Sequence, residues 1–282
     1  MHQLEIAQVR DEANDTRVIQ LRVPAELEAE FAFEPGQYLT FVGHIGGQEL
    51  RRSYSICSAL GAPLEVAIKR IPGGLFSEHA HSAFRAGTLV NVLPPAGSFH
   101  TPLSPDQVKH YLCIAAGSGI TPIISILESV LAVEPRSTVT LIYGSRRSSD
   151  IIFRERLLWL KNAHVGRFHW INIISQEAQP ADILEGRIDN RKGAALSRHL
   201  IDIPGFDEFF LCGPEAMISE VARGLRGEGV EEAQIHYELF FASAEDARAA
   251  IARHQQRARE FAGLTTEVRV RSGGVTSALS AV

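Results

Sequence analysis

The chain has 282 residues, 45% of them apolar, and a net charge of −5, a balance ordinary for a soluble globular protein with room for two domains. The acidic balance argues against a nucleic-acid partner, and no apolar run is long enough to span a bilayer. Three scattered cysteines, Cys57, Cys113 and Cys212, form neither a disulfide framework nor a metal motif, and the opening MHQLEIAQVRDE lacks an apolar leader core; a reducing, cytoplasmic setting is the expectation.

Up to about residue 100 the pattern is short and alternating. EIAQVRDE, RVIQLRVP, QYLTFVGHI, RRSYSICSA, PLEVAIKRI and TLVNVLPP read as six strands, punctuated by Pro35-Gly36 and Gly46-Gly47, which predicts an antiparallel barrel over residues 1–103. One helix, SEHAHSAF, follows Gly73-Gly74. Within RRSYSICS, alternation puts Arg52 and Tyr54 on one face and Ser53 and Ser55 on the other. In AIKRIPGGLFSEHA the two glycines precede a helix start containing Ser77, an anion site of the helix N-terminal type.

The rhythm changes near Thr101–Asp106. HYLCIAAG, STVTLIYGS, RFHWINIIS, DEFFLCG and AQIHYELF read as buried strands. They alternate with the helical runs TPIISILESVLAV, DIIFRERLLWLKN, GAALSRHLI and PEAMISEVARGL. That alternation predicts a doubly wound parallel-sheet α/β domain over 104–241. Between the first strand and helix lies GSGITPIIS, Gly117 to Ser125. The strand–glycine turn–helix context is that of a nucleotide pyrophosphate site, and Pro122 is a helix-start residue rather than a defect. The second strand ends in Ser145, Arg146 and Arg147, with no carboxylate before Asp150; guanidiniums and a hydroxyl suit a 2′-phosphate, so NADPH is expected over NADH. A solvated basic loop is the plainer reading of the same residues.

The last segment predicts a linker helix over 242–263, opened by Ser243 and Asp246 and stopped at Gly263. TTEVRVRSGG then reads as one strand running into a turn, in a remnant or start of a further domain over 264–282.

Four motifs occur in an order that makes the sequence recognisable: Arg52-x-Tyr54-Ser55, IKRIPGG-x-x-S (Ile68–Ser77), G-x-G-x-x-P (Gly117–Pro122) and Cys212-Gly213-Pro214. Over roughly residues 1–240 the chain resembles the ferredoxin–NADP reductase superfamily. Within it the resemblance is to reductase components of multicomponent oxygenases, of the phenylacetyl-CoA epoxidase and phenylacetate-degradation type. The resemblance implies FAD and NADPH as cofactors. Arg52 would then pair with the flavin pyrophosphate, Tyr54 would pack on the ring and Ser55 would hydrogen-bond near N5. Lys69 and Arg70 would lie close by, and the backbone of Gly73, Gly74, Leu75, Phe76 and Ser77 would hold the FAD phosphates. Gly117, Gly119, Thr121 and Pro122 would hold the nicotinamide nucleotide. Cys212, Gly213 and Pro214 would stand beside the nicotinamide, with Glu238 and Phe240 closing the flavin's other side. From the residues alone, Cys212 and Phe240 are as readily core residues. His79, His81 and His236 show no ligand spacing and read as structural or surface residues, and no metal site is expected.

Such reductases commonly carry a plant-type [2Fe–2S] domain, which needs C-x4-C-x2-C and a fourth cysteine. No cysteine follows Cys212, so the cluster is expected only in a full-length form, the sequence being a piece of a longer chain, or in a separate ferredoxin. The expected partners are NADP(H), a ferredoxin or [2Fe–2S] domain, and an oxygenase. The competing readings are a stand-alone ferredoxin–NADP(H) reductase and a non-catalytic flavin-bearing regulatory subunit.

Overall fold

The computed structural model describes residues 1–13 and 15–239, together with two strands at 266–272 and 275–281. The expected linker helix over 242–263 and Phe240 lie outside the described residues. The chain divides into two compact units, Met1–Phe240 and Phe241–Val282.

Six antiparallel strands form the first half: β1 (His2–Glu12), β2 (Thr16–Arg22), β3 (Tyr38–Ile45), β4 (Gln48–Ser55), β5 (Glu65–Lys69) and β6 (Leu89–Ala96). Their order, β4-β3-β6-β1-β2-β5, curls the sheet until the tail of β4 meets β5 in the bridge Ile56–Val66. The result is a half-barrel, as the alternation predicts. Helix α1 (Leu75–Ala83) covers one mouth, with Phe76 and Ala80 buried among Leu4, Leu39, Phe41 and Val92.

The second half is a parallel sheet of order β11-β10-β7-β8-β9. Its strands are β7 (His110–Ala116), β8 (Thr138–Ser145), β9 (Phe168–Ile174), β10 (Glu208–Gly213) and β11 (Ile235–Leu239). Helices α2 (Ile120–Val133), α3 (Arg154–Ala163), α4 (Asn190–His199) and α5 (Glu215–Gly227) connect them. The chain runs outward from β7 to β9, then returns to lay β10 against the other side of β7. That reversal is a topological switch point, where the crevice at the carboxyl ends of the strands receives ligands. No helix among the described residues is long and apolar enough to cross a membrane.

Three departures from the sequence reading have physical causes. Helix α3 begins at Arg154 rather than Asp150. Ile151, Ile152 and Phe153 are all buried; three consecutive side chains cannot share one helix face. The backbone instead turns at Phe153, φ 61°, to bury all three. The two halves also do not keep wholly separate cores. Val18, Cys57, Ala67 and Phe99 of the half-barrel join one cluster with Ile123, Leu127, Tyr143 and Phe210. In the second unit, the strand expected alone is β12 (Thr266–Ser272), paired antiparallel with β13 (Val275–Ala281). VTSALSA hides its alternation because most of its residues are small.

Candidate flavin and nicotinamide site

The strand β7 runs HYLCIAA, buried from Tyr111 to Ala115, and delivers the chain into Gly117 at the switch point. Gly117 has φ 54°, a left-handed conformation that L residues adopt at a cost. Gly119 has a different reason to be glycine: a Cβ there would lie 2.2 Å from the Cys212 carbonyl oxygen. The approach it allows is that of the β10 end, whereas the expectation from the motif was approach of a pyrophosphate. Thr121 and Pro122 are buried in the first turn of α2, and the Thr121 hydroxyl donates to the Ser118 carbonyl at 3.0 Å. Gly117 and Ser118 are the half-exposed members of the loop. Gly213 and Pro214, the latter capping α5, complete the facing edge.

Beyond β8 the loop carries exposed Arg146 and Arg147. The Ser145 hydroxyl is buried and meets no hydrogen-bond partner at this strand end. Lys69, at the end of β5, reaches the same place from the half-barrel; burial first, and then Arg146, lowers its pKa. The loop is not purely cationic, as its sequence alone reads. Glu177, just beyond β9, accepts the Ser148 N–H and the Ser148 hydroxyl, each at 2.9 Å. Those two bonds, with Arg147 a smaller contributor, hold its carboxyl below the usual range. Glu177 is remote in sequence and no motif marks it.

On the half-barrel side, β3 and β4 pair Tyr38 with Ser55, Leu39 with Tyr54 and Phe41 with Arg52. Tyr54 packs on Phe41 and Phe76, both at 5.9 Å between ring centroids. The Arg52 guanidinium is exposed and donates to the Arg51 carbonyl at 2.7 Å, and Arg70 pairs with Asp15 at 3.2 Å. In the Gly73–Ser77 turn, Gly73 has φ 73° with open space around it. Its N–H donates to the Glu78 carboxylate at 2.9 Å. Ser77 and Phe76 point inward: the Ser77 hydroxyl accepts the Ile71 N–H at 3.1 Å, and Phe76 is a core residue. Gly73 and Leu75 are the exposed part of the turn.

Three polar side chains of the expected site come together where the two halves meet. Ser55, 3% exposed, donates its hydroxyl to Glu238 at 3.4 Å. Burial raises the Glu238 carboxyl to about 7, the Ser55 bond acting against it. Cys212 stands opposite Glu238 in the β10–β11 ladder; burial, then the neighbouring Glu238, pushes its thiol well up, so it is a neutral group. A cavity of about 400 Å³ adjoins Glu238, lined also by Tyr38, Ser98, Phe99 and His236. His236 is more than a surface residue: it stacks on Phe210 at 4.7 Å and pairs with Glu208 at 2.8 Å. His79 and His81 are structural, against Phe84 and the Ile68 carbonyl. No motif in the sequence marks this cavity; near it the backbone packs tightly, since a Cβ at Gly36 would lie 2.0 Å from the Phe99 carbonyl oxygen.

Comparison with known proteins agrees with both halves. The oxidoreductase FAD-binding domain matches residues 3–101, and the oxidoreductase NAD-binding domain matches residues 113–223. One component of the 1,2-phenylacetyl-CoA epoxidase of Escherichia coli is 41% identical over 240 residues, 85% of this chain and 67% of that protein. The chain belongs to the ferredoxin–NADP reductase family. Other members it resembles include the ferredoxin reductase component of the 3-ketosteroid-9-alpha-monooxygenase of Rhodococcus rhodochrous, 35% identical over 84% of this chain and 64% of that protein. Among solved structures, an Amycolatopsis cytochrome P450 reductase superposes with TM-score 0.71 at 28% identity, covering 86% of this chain and 71% of that one. A ferredoxin NADP+ reductase from Neisseria gonorrhoeae superposes with TM-score 0.71 at 24% identity, covering 85% of this chain and 98% of that one; it shares the fold. The chain spans about two thirds of the length of these curated relatives.

Membership in this family makes the chain an FAD-dependent NAD(P)H oxidoreductase of the electron-transfer reductase kind. The residues present fit both cofactors. The open, left-handed Gly73 and the exposed Arg52 lie on the half-barrel that matches the FAD domain. The half-exposed Gly117–Ser118 turn and the buried, unpaired Ser145 hydroxyl lie at the carboxyl edge of the sheet that matches the NAD domain.

Proposed function

We propose that the chain takes a hydride from NADPH onto FAD and releases electrons singly to an iron–sulfur centre serving an oxygenase of aromatic, phenylacetate-type degradation. The iron–sulfur centre would belong to a [2Fe–2S] domain of a longer form of this chain or to a separate ferredoxin, and the setting would be the cytoplasm. The observation that carries the reading is the convergence of Ser55, Cys212 and Glu238 at the seam between the two halves. FAD, when bound, supplies the exchange between two-electron and one-electron transfer. The protein's part is positioning and proton control.

Arg52 and the N–H groups of the Gly73–Ser77 turn would bind the FAD phosphates, Glu78 giving up Gly73 as the anion arrives. Tyr54 would pack against the flavin ring. Ser55 would present its hydroxyl at N5, with Glu238 behind it as the acceptor and donor of that proton; a carboxyl raised to about 7 suits that exchange near neutrality. The small, neutral Cys212 thiol would leave room for close approach of the nicotinamide, and Phe240 would cover the ring. Gly117, Gly119, Thr121 and Pro122 would shape the pyrophosphate turn, with Gly213 and Pro214 opposite. Ser145, Arg146 and Arg147, joined by Lys69, would receive the 2′-phosphate; Glu177 is occupied by Ser148.

Anaerobic titration of the purified protein tests this directly. NADPH should bleach the flavin absorbance at lower concentration than NADH, and Arg146→Ala should remove most of that preference. Equal or faster bleaching by NADH overturns the nucleotide assignment, and a protein that binds no flavin overturns the whole reading.

A further inference from the structure

We propose that Tyr143 is a positioning residue for the nicotinamide dinucleotide, its buried hydroxyl fixing the Gly117–Ser118 peptide and tying the pyrophosphate turn to the loop that follows β8. The inference rests on the nucleotide assignment above and deepens it. Tyr143 is fully buried on β8, level with Ala115 of β7 on one side and Asn172 of β9 on the other. A buried phenol must place its O–H. Here it donates to the Gly117 carbonyl at 2.9 Å and accepts the Ile152 N–H at 3.4 Å. The Gly117 carbonyl also accepts the Ile120 N–H, which it shares with the Ser118 carbonyl, so the phenol is its undivided partner.

A trans peptide is planar, with its carbonyl and its N–H pointing in opposite directions. Holding the Gly117 carbonyl inward therefore turns the Ser118 N–H outward, toward the carboxyl edge of the sheet where an anion binds. Gly117 can make that turn because its φ is 54°. Without the phenol, the peptide keeps only the Ile120 restraint and is freer to rotate its N–H away from the ligand. The second bond carries the same restraint to Ile152. Ile152 ends the loop that bears Arg146 and Arg147, so one hydroxyl sets the spacing of the two anion-binding turns.

The test is Tyr143→Phe in the flavin-loaded protein, which keeps the buried ring and removes the hydroxyl. KM and Kd for NADPH and for NADH should rise together, about three- to tenfold, as expected for loss of one hydrogen bond. Flavin content and kcat at saturating nucleotide should stay unchanged. Tyr143→Met, a flexible apolar side chain that can adapt to the buried space, replaces it should the phenylalanine variant fail to fold. Arg146→Ala, measured in parallel, separates the two ideas. If Arg146→Ala raises KM for NADPH but Tyr143→Phe moves neither nucleotide by twofold, the positioning role is overturned and the nucleotide assignment stands. If neither substitution moves KM, both fall. A loss of flavin or of kcat with KM unmoved marks a merely structural tyrosine and overturns the proposal.

Discussion

Glu238 is the residue whose ionisation bears most directly on the site. Its folded pKa, about 7, lies above the ordinary 4.5 because burial disfavours the charged form. A carboxyl raised on folding binds its proton more tightly in the native state. Its favourable contribution is thus complete below about 4.5 and is lost as pH rises through 7. Stability of the wild type should fall over that window by on the order of 2–3 kcal/mol more than that of Glu238→Gln. Urea midpoints of the two proteins at pH 5 and pH 8 check this; parallel changes would show that Glu238 ionises without cost. The two glycines of GSG differ in a similarly measurable way. Gly119→Ala drives a Cβ into the Cys212 backbone and should destabilise by about 1–3 kcal/mol through overpacking. Gly117→Ala meets open space and should cost only the left-handed conformation, about 1 kcal/mol. Thermal melts of the pair distinguish them. The sequence marked both glycines but not their separate reasons, because one answers to its own φ and the other to a strand ninety-odd residues away.

At the scale of elements, strands and helices were legible wherever apolar period and burial coincide. The run TPIISILESVLAV is a helix buried almost all round, legible from its length of continuous apolar sequence and from Pro122 in its first turn. The start of α3 was not legible. DIIF continues the apolar pattern into the helix, yet all of Ile151–Phe153 is buried at once, which only a turn achieves. The loop after β8 shows the same limit. Arg146 and Arg147 could be read from their place in the chain, whereas Glu177 arrives through the pairing of β8 with β9. Likewise Ser55 and Cys212 were legible as members of two of the four ordered motifs, and Glu238 only through the family resemblance those motifs carry. That Ser55 bonds Glu238 while Cys212 faces it across a ladder depends on the register of two sheets, which no local pattern encodes.

For the molecule as a whole, the boundary near residue 104 separates two patterns but not two cores. Helix α2 is the reason: Ser125 donates its hydroxyl to the Ser58 carbonyl at 2.6 Å, and Ser129 accepts the Leu60 N–H at 2.9 Å. The same helix buries Ile123 and Leu127 in the cluster that takes in Cys57 and Phe99. A fragment comprising residues 104–239 alone should therefore express as an aggregating or partly ordered species, judged by gel filtration and near-UV circular dichroism. A monodisperse, fully ordered fragment would show that the shared cluster is dispensable. The seam acts as a mounting plate. Because α2 starts at the nucleotide turn and is bolted along its length to the half-barrel, the gap between donor and acceptor cofactors is set when the chain folds. Thermal motion need not find that distance afresh at each turnover.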